Sequence, residues 1–248
     1  MSATGPARGE ASAEADAIYA ELLLRLGEGA PERRLHATRK AVELLGDPHR
    51  AYPIIHVTGT NGKTSTSRMI EALLRAHNLT TGLFTSPHLA RFTERIVIGG
   101  RPISDADLVR NWNDVAPYIA MTDRELHEAG EQRLTFFEAM TVLGFACFAD
   151  AAVDVAVIEV GMGGEWDSTN VGDGQVAVIT PISLDHMAML GNTVAEIAHT
   201  KSGIIKPGSR VVSSAQPEPA LQEIRLAARR LDVPLAVQGE DFDVTADA

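Results

Sequence analysis

The stretch from Ile54 to Thr66, IIHVTGTNGKTST, runs from a β-branched apolar segment into two glycines and a lysine. Met69, Ile70, Leu73 and Leu74 follow at helical spacing, so the order is strand, glycine loop, helix. In that setting each residue of Gly59-Thr60-Asn61-Gly62-Lys63-Thr64-Ser65 has a physical use. Small residues let backbone N–H groups close on phosphate oxygens, and the helix start adds partial positive charge. Lys63 neutralises the outer phosphates, and the Thr64 hydroxyl is placed to ligate magnesium. Thr60 and Asn61 alone separate Gly59 from Gly62, whereas the general phosphate-loop pattern G-x-x-x-x-G-K-S/T has a longer spacer.

The same alternation continues outward. Two helices, over Ile18 to Leu26 and Leu35 to Leu45, precede the first strand and are separated by the breaker run GEGAPE. Gly82 to Thr85 and Arg95 to Ile98 read as strands, the latter ending in Gly99-Gly100. Ser104 with Asp107, Thr135 with Glu138, and Thr193 with Glu196 are capping boxes that open helices. The helix after Thr135 is apolar nearly all round, which marks it as buried. Val155 to Val160 and Gln175 to Thr180 are continuous apolar runs, as strands of a parallel sheet covered on both faces should be. Val211-Val212 and Pro234 to Val237 flank a last helix. The pattern predicts an α/β fold: a mostly parallel, helix-flanked sheet with a phosphate-binding loop. Residues 1–16, small and acidic, are expected to form a mobile tail ahead of one domain over 17–248.

At 248 residues with 45% hydrophobic and 22% charged side chains, the chain has the composition of a globular protein. A formal net charge of -11 argues against a nucleic-acid partner, since phosphate backbones are bound by clustered Lys and Arg. The single cysteine, Cys147, sits among Phe145, Ala146 and Phe148 and reads as a core thiol. The first residues lack the basic start and apolar run of a secretory signal, and no stretch is apolar enough to span a bilayer. The expectation is a cytoplasmic protein without a membrane partner.

Five segments in order, HVTGTNGKTST, TSPHLARFTERI, LTFFEAM, VIEVGMGGEWDSTN and TPISLDHMAMLGNTVAEIAHTKSGIIKPG, cover about residues 50–208. Together they resemble the folylpolyglutamate synthase/dihydrofolate synthase branch of the Mur ligase superfamily, in its N-terminal ATP-binding domain. The resemblance implies an ATP-dependent ligase that joins L-glutamate to dihydropteroate or a reduced folate through an acyl phosphate. It also implies a second, C-terminal domain, for which no sequence is present, so these residues are expected to supply the ATP, magnesium and pterin half of the site. A monomer is expected. The rival readings are another Mur-type amide ligase and a non-catalytic nucleotide- or folate-binding fragment.

The resemblance makes Lys63, Lys201 and His186 the catalytic side chains, with Lys201 carbamylated. It makes Thr64, Ser86, Glu159 and His186 magnesium ligands, and Ser86, Pro87, His88, Phe137 and Asp167 contacts to the pterin-bearing substrate. The residues themselves support part of this. Glu159 ends an apolar strand at the sheet edge where open α/β folds bind ligands, and a buried carboxylate needs a metal or cation. Asp185-His186 ends the next strand in the same way. Ser86-Pro87 reads equally well as a plain strand end, Lys201 as a surface lysine, and Phe136 and Phe137 as core. Glu165 stands where relatives commonly carry arginine, a charge reversal beside an anionic substrate.

Overall fold

The computed structural model describes residues 8–27 and 32–243. Its helices are α1 (Arg8–Leu23), α2 (His36–Leu44), α3 (Lys63–Ala76), α4 (Asp105–Glu128), α5 (Phe136–Asp150), α6 (Met187–Leu190), α7 (Val194–Ser202) and α8 (Glu218–Arg230). The strands are β1 (Ile54–Thr58), β2 (Thr81–Phe84), β3 (Ile96–Ile98), β4 (Arg101–Pro102), β5 (Val155–Glu159), β6 (Val176–Ile179), β7 (Arg210–Ser213) and β8 (Leu235–Val237). They form one sheet in the order β4-β3-β2-β5-β1-β6-β7-β8. From β2 to β8 every neighbouring pair is parallel, and β3 and β4 add an antiparallel edge.

The mostly parallel, helix-flanked sheet is thus observed. Its central strands are apolar on both faces because both are covered. Ile54, Phe84, Ile96, Ala156 and Ile158 pack with α1, α2, α4 and α5. On the same face Ala177, Ile179 and Val211 pack with α7 and α8. Val57, Leu83 and Val157 point the other way, onto Ile70 and Leu74 of α3. The all-apolar α5 is buried as its composition requires, Phe145 and Phe148 among its largest enclosed side chains. Cys147 lies wholly inside, and burial pushes its thiol pKa up.

Two expectations are corrected. Helix α1 starts at Arg8, so a tail through residue 16 is not what forms from there on. Ala11 and Ala15 are buried with Ile18 and Leu22, which extends the apolar stripe one and two turns toward the N-terminus through residues too small to stand out as a pattern. Residues 1–7 lie outside the described part. The segment expected as a strand from Arg95 begins instead as a 3-10 turn over Phe92–Arg95, with β3 starting at Ile96 and pairing across Gly99-Gly100 with the short β4. No helix among the described residues is long and apolar enough to cross a membrane.

Candidate active site

Strand β1 lies at the middle of the parallel block and hands the chain directly to Gly59. Gly59 takes a φ of 146°, and a Cβ there would lie 1.9 Å from Thr180 Oγ1, so only glycine lets the loop turn against β6. Gly62 caps α3 in the left-handed region with open space where a Cβ would stand. The Thr60 and Asn61 N–H groups both donate to Pro181 O, and the Thr60 hydroxyl exchanges bonds with Ser183. Thr60 and Asn61 thus anchor the loop to the segment after β6, and the N–H groups at the start of α3 have no intrahelical acceptor. Ser65 lies exposed in that first turn.

Parallel register sets Val57 beside Glu159, bringing the last residue of β5 under the loop. The Thr64 hydroxyl donates to Glu159, with Oε1 at 2.8 Å and Oε2 at 2.9 Å. Glu159 is buried, and that burial raises its pKa to about 7 against the opposing Thr64 hydroxyl, Lys63 charge and Ser86 N–H group. Thr64, Glu159 and Ser86, at the end of β2, therefore converge. Their hydroxyl and carboxylate oxygens suit a hard octahedral cation that keeps waters and takes phosphate oxygens. Among the described residues no group of three or more His, Cys, Asp or Glu side chains is assembled for a metal, so such an ion would need these hydroxyls and the ligand itself.

Two lysine side chains meet on one carbonyl. Lys63 Nζ donates to Gly59 O and Thr60 O at 3.2 Å each, and Lys201 Nζ donates to Gly59 O at 2.7 Å. Lys201, only 3% exposed, is no surface lysine. Burial first, and repulsion from Lys63 second, lower its pKa to about 7, so much of it is an uncharged amine at neutral pH. Its carrier, α7, is fixed at the start by Thr193 and Glu196, each side chain bonded to the other residue's N–H group. Thr193→Ala is expected to cost about 1 kcal/mol, read from the midpoint of urea unfolding.

Beside the lysines opens a cavity of about 560 Å³. Lys63, Ser86, Pro87, Phe137, Asp167 and His186 all line it, so six of the residues singled out in the sequence meet in one place. Phe137 faces the cavity while Phe136 is core, beneath Arg95 and against Tyr19, so the two phenylalanines have separate fates. His186 is half-exposed at the rim, held by an N–H bond to its neighbour Asp185 at 2.8 Å. His88 departs from expectation: its ring accepts a bond from Arg95 Nε and touches the Tyr19 hydroxyl, and it is not among the lining residues. It ties the SPHL loop to the α1 core. Asp167, also buried, caps the 3-10 turn Ser168–Val171 and accepts bonds from the N–H groups of Met162 and Thr169. Burial raises its pKa and those bonds oppose the rise. Glu165 is exposed, and its backbone is engaged by Thr200 and Asn170.

Several cavity residues escaped the sequence reading. Trp166, Met162, Met187 and Met189 give it an apolar wall, and Arg34 pairs in a two-bond fork with Glu138 at its back, at 2.9 and 3.0 Å. Glu138 has a visible signal as a capping residue, but nothing local announces its second partner 104 positions away.

The arrangement has the form of a loop-and-helix phosphate site on a parallel sheet, with a buried carboxylate, two lysines and an adjoining apolar cavity. Residues 57–216 match the Mur ligase middle domain, and the chain belongs to that family. Within it, the relatives are folylpolyglutamate and dihydrofolate synthases. The dihydrofolate synthase/folylpolyglutamate synthase of Mycobacterium tuberculosis is 44% identical over 228 residues, 86% of this chain and 47% of that protein. The folylpolyglutamate synthase of Lacticaseibacillus casei is 45% identical over 195 residues, 79% and 44% respectively. Crystal structures of the M. tuberculosis folylpolyglutamate synthase with ADP and AMPPCP match at a TM-score of 0.88 and 40% identity, over 95% of this chain and 52% of that one. An FPGS–AMPPCP–folate complex matches at 0.83 and 36%, over 97% and 56%. The chain thus spans about half the length of the curated relatives it matches.

Proposed function

We propose that this chain forms the nucleotide and pterin side of an ATP-dependent ligase joining L-glutamate to dihydropteroate or a reduced folate. The observation that carries the reading is the shared wall of Lys63, Ser86 and His186 between the phosphate loop and an apolar cavity with Phe137 and Trp166. Such a cavity accepts a flat heteroaromatic ring and leaves its carboxylate end near the loop. The relatives with bound ADP, AMPPCP and folate support the same assignment.

In this reading a substrate carboxylate oxygen attacks the γ-phosphorus of ATP and ADP leaves. The glutamate amine then attacks the acyl carbon, loses a proton and expels phosphate. Lys63 and the start of α3 bind the phosphates, and their positive charge opposes the charge that develops on the transferring oxygens. Thr64, Glu159 and Ser86 are the residues that would hold magnesium, with His186 at a second position. A bound magnesium ion neutralises phosphate charge. Lys201, its pKa lowered to about 7, is in part the uncharged amine that takes up carbon dioxide, and a carbamate there would put an anion next to the loop.

The test supplies the chain with ATP, magnesium and glutamate and compares dihydropteroate, tetrahydrofolate and a nucleotide-sugar peptide as acceptors. ATP consumption stimulated by a pteridine acceptor is the expected result. Stimulation by the nucleotide-sugar peptide alone would assign the chain to a different Mur-type ligase, and tight binding of ATP and folate without turnover would make it a binding module.

A further inference from the structure

Strand β1 carries one polar ring in its buried middle. His56 is fully enclosed, on the face that also presents Ile54 and Thr58, and it neighbours Ala177 and Ile158 in the sheet. Burying an imidazole there costs free energy that an aliphatic side chain would not. Its Nε2 lies 2.8 Å from the Thr169 hydroxyl oxygen, and that hydroxyl donates to Asp167 Oδ1. Thr169 has one hydroxyl proton, already given to the carboxylate, so the bond from His56 must run the other way: Nε2–H donates to Thr169 Oγ1. Burial, helped by the Lys206 charge, lowers the His56 pKa to about 3, which keeps the ring neutral. The result is a one-directional chain of donors, His56 to Thr169 to Asp167, ending on a buried carboxylate.

That carboxylate shapes the cavity. Asp167 Oδ2 accepts the Met162 N–H at 2.8 Å, and Gly161 lies against both Oδ2 and the Phe137 ring. Gly161, Met162, Phe137 and Asp167 all line the cavity, and the bonds that run from His56 end on Asp167 and Met162, not on residues of the phosphate loop. We infer that His56 is a positioning residue for the pterin-side cavity: through Thr169 it fixes the Asp167 carboxylate, and with it the Gly161–Met162 wall. The inference rests on the reading of that cavity as the site of the folate-type substrate. It gives β1 two tasks, its C-terminal end serving the nucleotide and its middle serving the second substrate.

The experiment uses the 248-residue chain and two probes, folate for the cavity and AMPPCP for the phosphate loop, titrated calorimetrically into wild type, His56→Leu and His56→Gln. The glutamine amide places an N–H donor close to where Nε2 stands. His56→Leu is expected to weaken folate by about tenfold, the worth of one buried bond to a charged network, while AMPPCP affinity stays within about twofold. His56→Gln is expected to restore most of the folate affinity. Equal losses for both probes, or unchanged folate binding in a folded His56→Leu, would overturn the proposal. Nitrogen-15 spectra of wild type provide a check that needs no variant: His56 should be the neutral Nε2–H tautomer from about pH 5 to 9, and an Nδ1–H ring or a titration in that range would refute the chain of donors. If wild type binds no folate, the cavity assignment itself fails, and the inference falls with it even where the tautomer is as expected.

Discussion

Lys63→Ala is expected to lower the affinity for AMPPCP by about 30- to 150-fold, the equivalent of about 2–3 kcal/mol for a charge-assisted bond to phosphate. Calorimetry reads it directly. The same substitution should leave thermal stability almost unchanged, because in the absence of ligand Lys63 makes only two long bonds, to Gly59 O and Thr60 O. It should also raise the pKa of Lys201, since Lys63 is the charge that lowers it after burial. The pH dependence of Lys201 modification by an amine-directed reagent is the second measurement. An unaltered AMPPCP affinity would remove the phosphate-loop assignment.

Glu159→Gln is expected to act in opposite directions on binding and stability. The carboxylate is the one full charge among the candidate magnesium ligands beneath the loop, so the magnesium dependence of nucleotide affinity should largely vanish. Stability should rise. A carboxyl group whose folded pKa, about 7, exceeds its unfolded value of 4.5 binds more protons folded than unfolded between those limits. Its contribution to stability is therefore present below pH 4.5 and is lost as pH climbs through 7. The variant lacks this loss, so its advantage over wild type should grow across that window to at most about 3 kcal/mol at higher pH. His56 and His49, with lowered values, add slopes of the opposite sign at lower pH, which is why the wild-type-minus-variant difference is the quantity to follow by urea unfolding. No growth of the difference between pH 5 and 8 would show that Glu159 is already ionised at little cost. Stability given up at a binding site is a common feature of functional residues.

What could be read from the sequence was local. The β1-to-α3 passage, the capping boxes at Thr135 and Thr193 and the apolar α5 are each written within a dozen or so residues, and each stands in the structure where the pattern put it; at Ser104 only the bond from the Asp107 N–H to the Ser104 hydroxyl forms, not the reciprocal one. Glu159 was legible because a carboxylate at the end of a buried strand conflicts with its surroundings. Elements whose identity depends on a distant partner were not legible. Arg34 pairs with Glu138, Trp166 meets the methionines after β6, and His88 turns from the cavity to Tyr19 and Arg95 through contacts no short window contains. The twin phenylalanines show the same limit: neighbours at the start of a helix point in different directions, and only the packed neighbours decide which one is enclosed.

The carbonyl of Gly59, holding Lys63 and Lys201 together, bears on the thermodynamics of ligand capture. A free lysine surrenders roughly 1.5–2 kcal/mol of rotamer entropy when it is immobilised. Here both side chains are already ordered on a backbone oxygen, so a phosphate oxygen replaces one acceptor with a better one and recruits no wandering chain. Most of that ordering is completed at folding. Nucleotide association should then show a small entropic penalty from the protein and little change in side-chain order at either lysine, a signature that methylene relaxation measurements on Lys63 and Lys201 can record with and without AMPPCP.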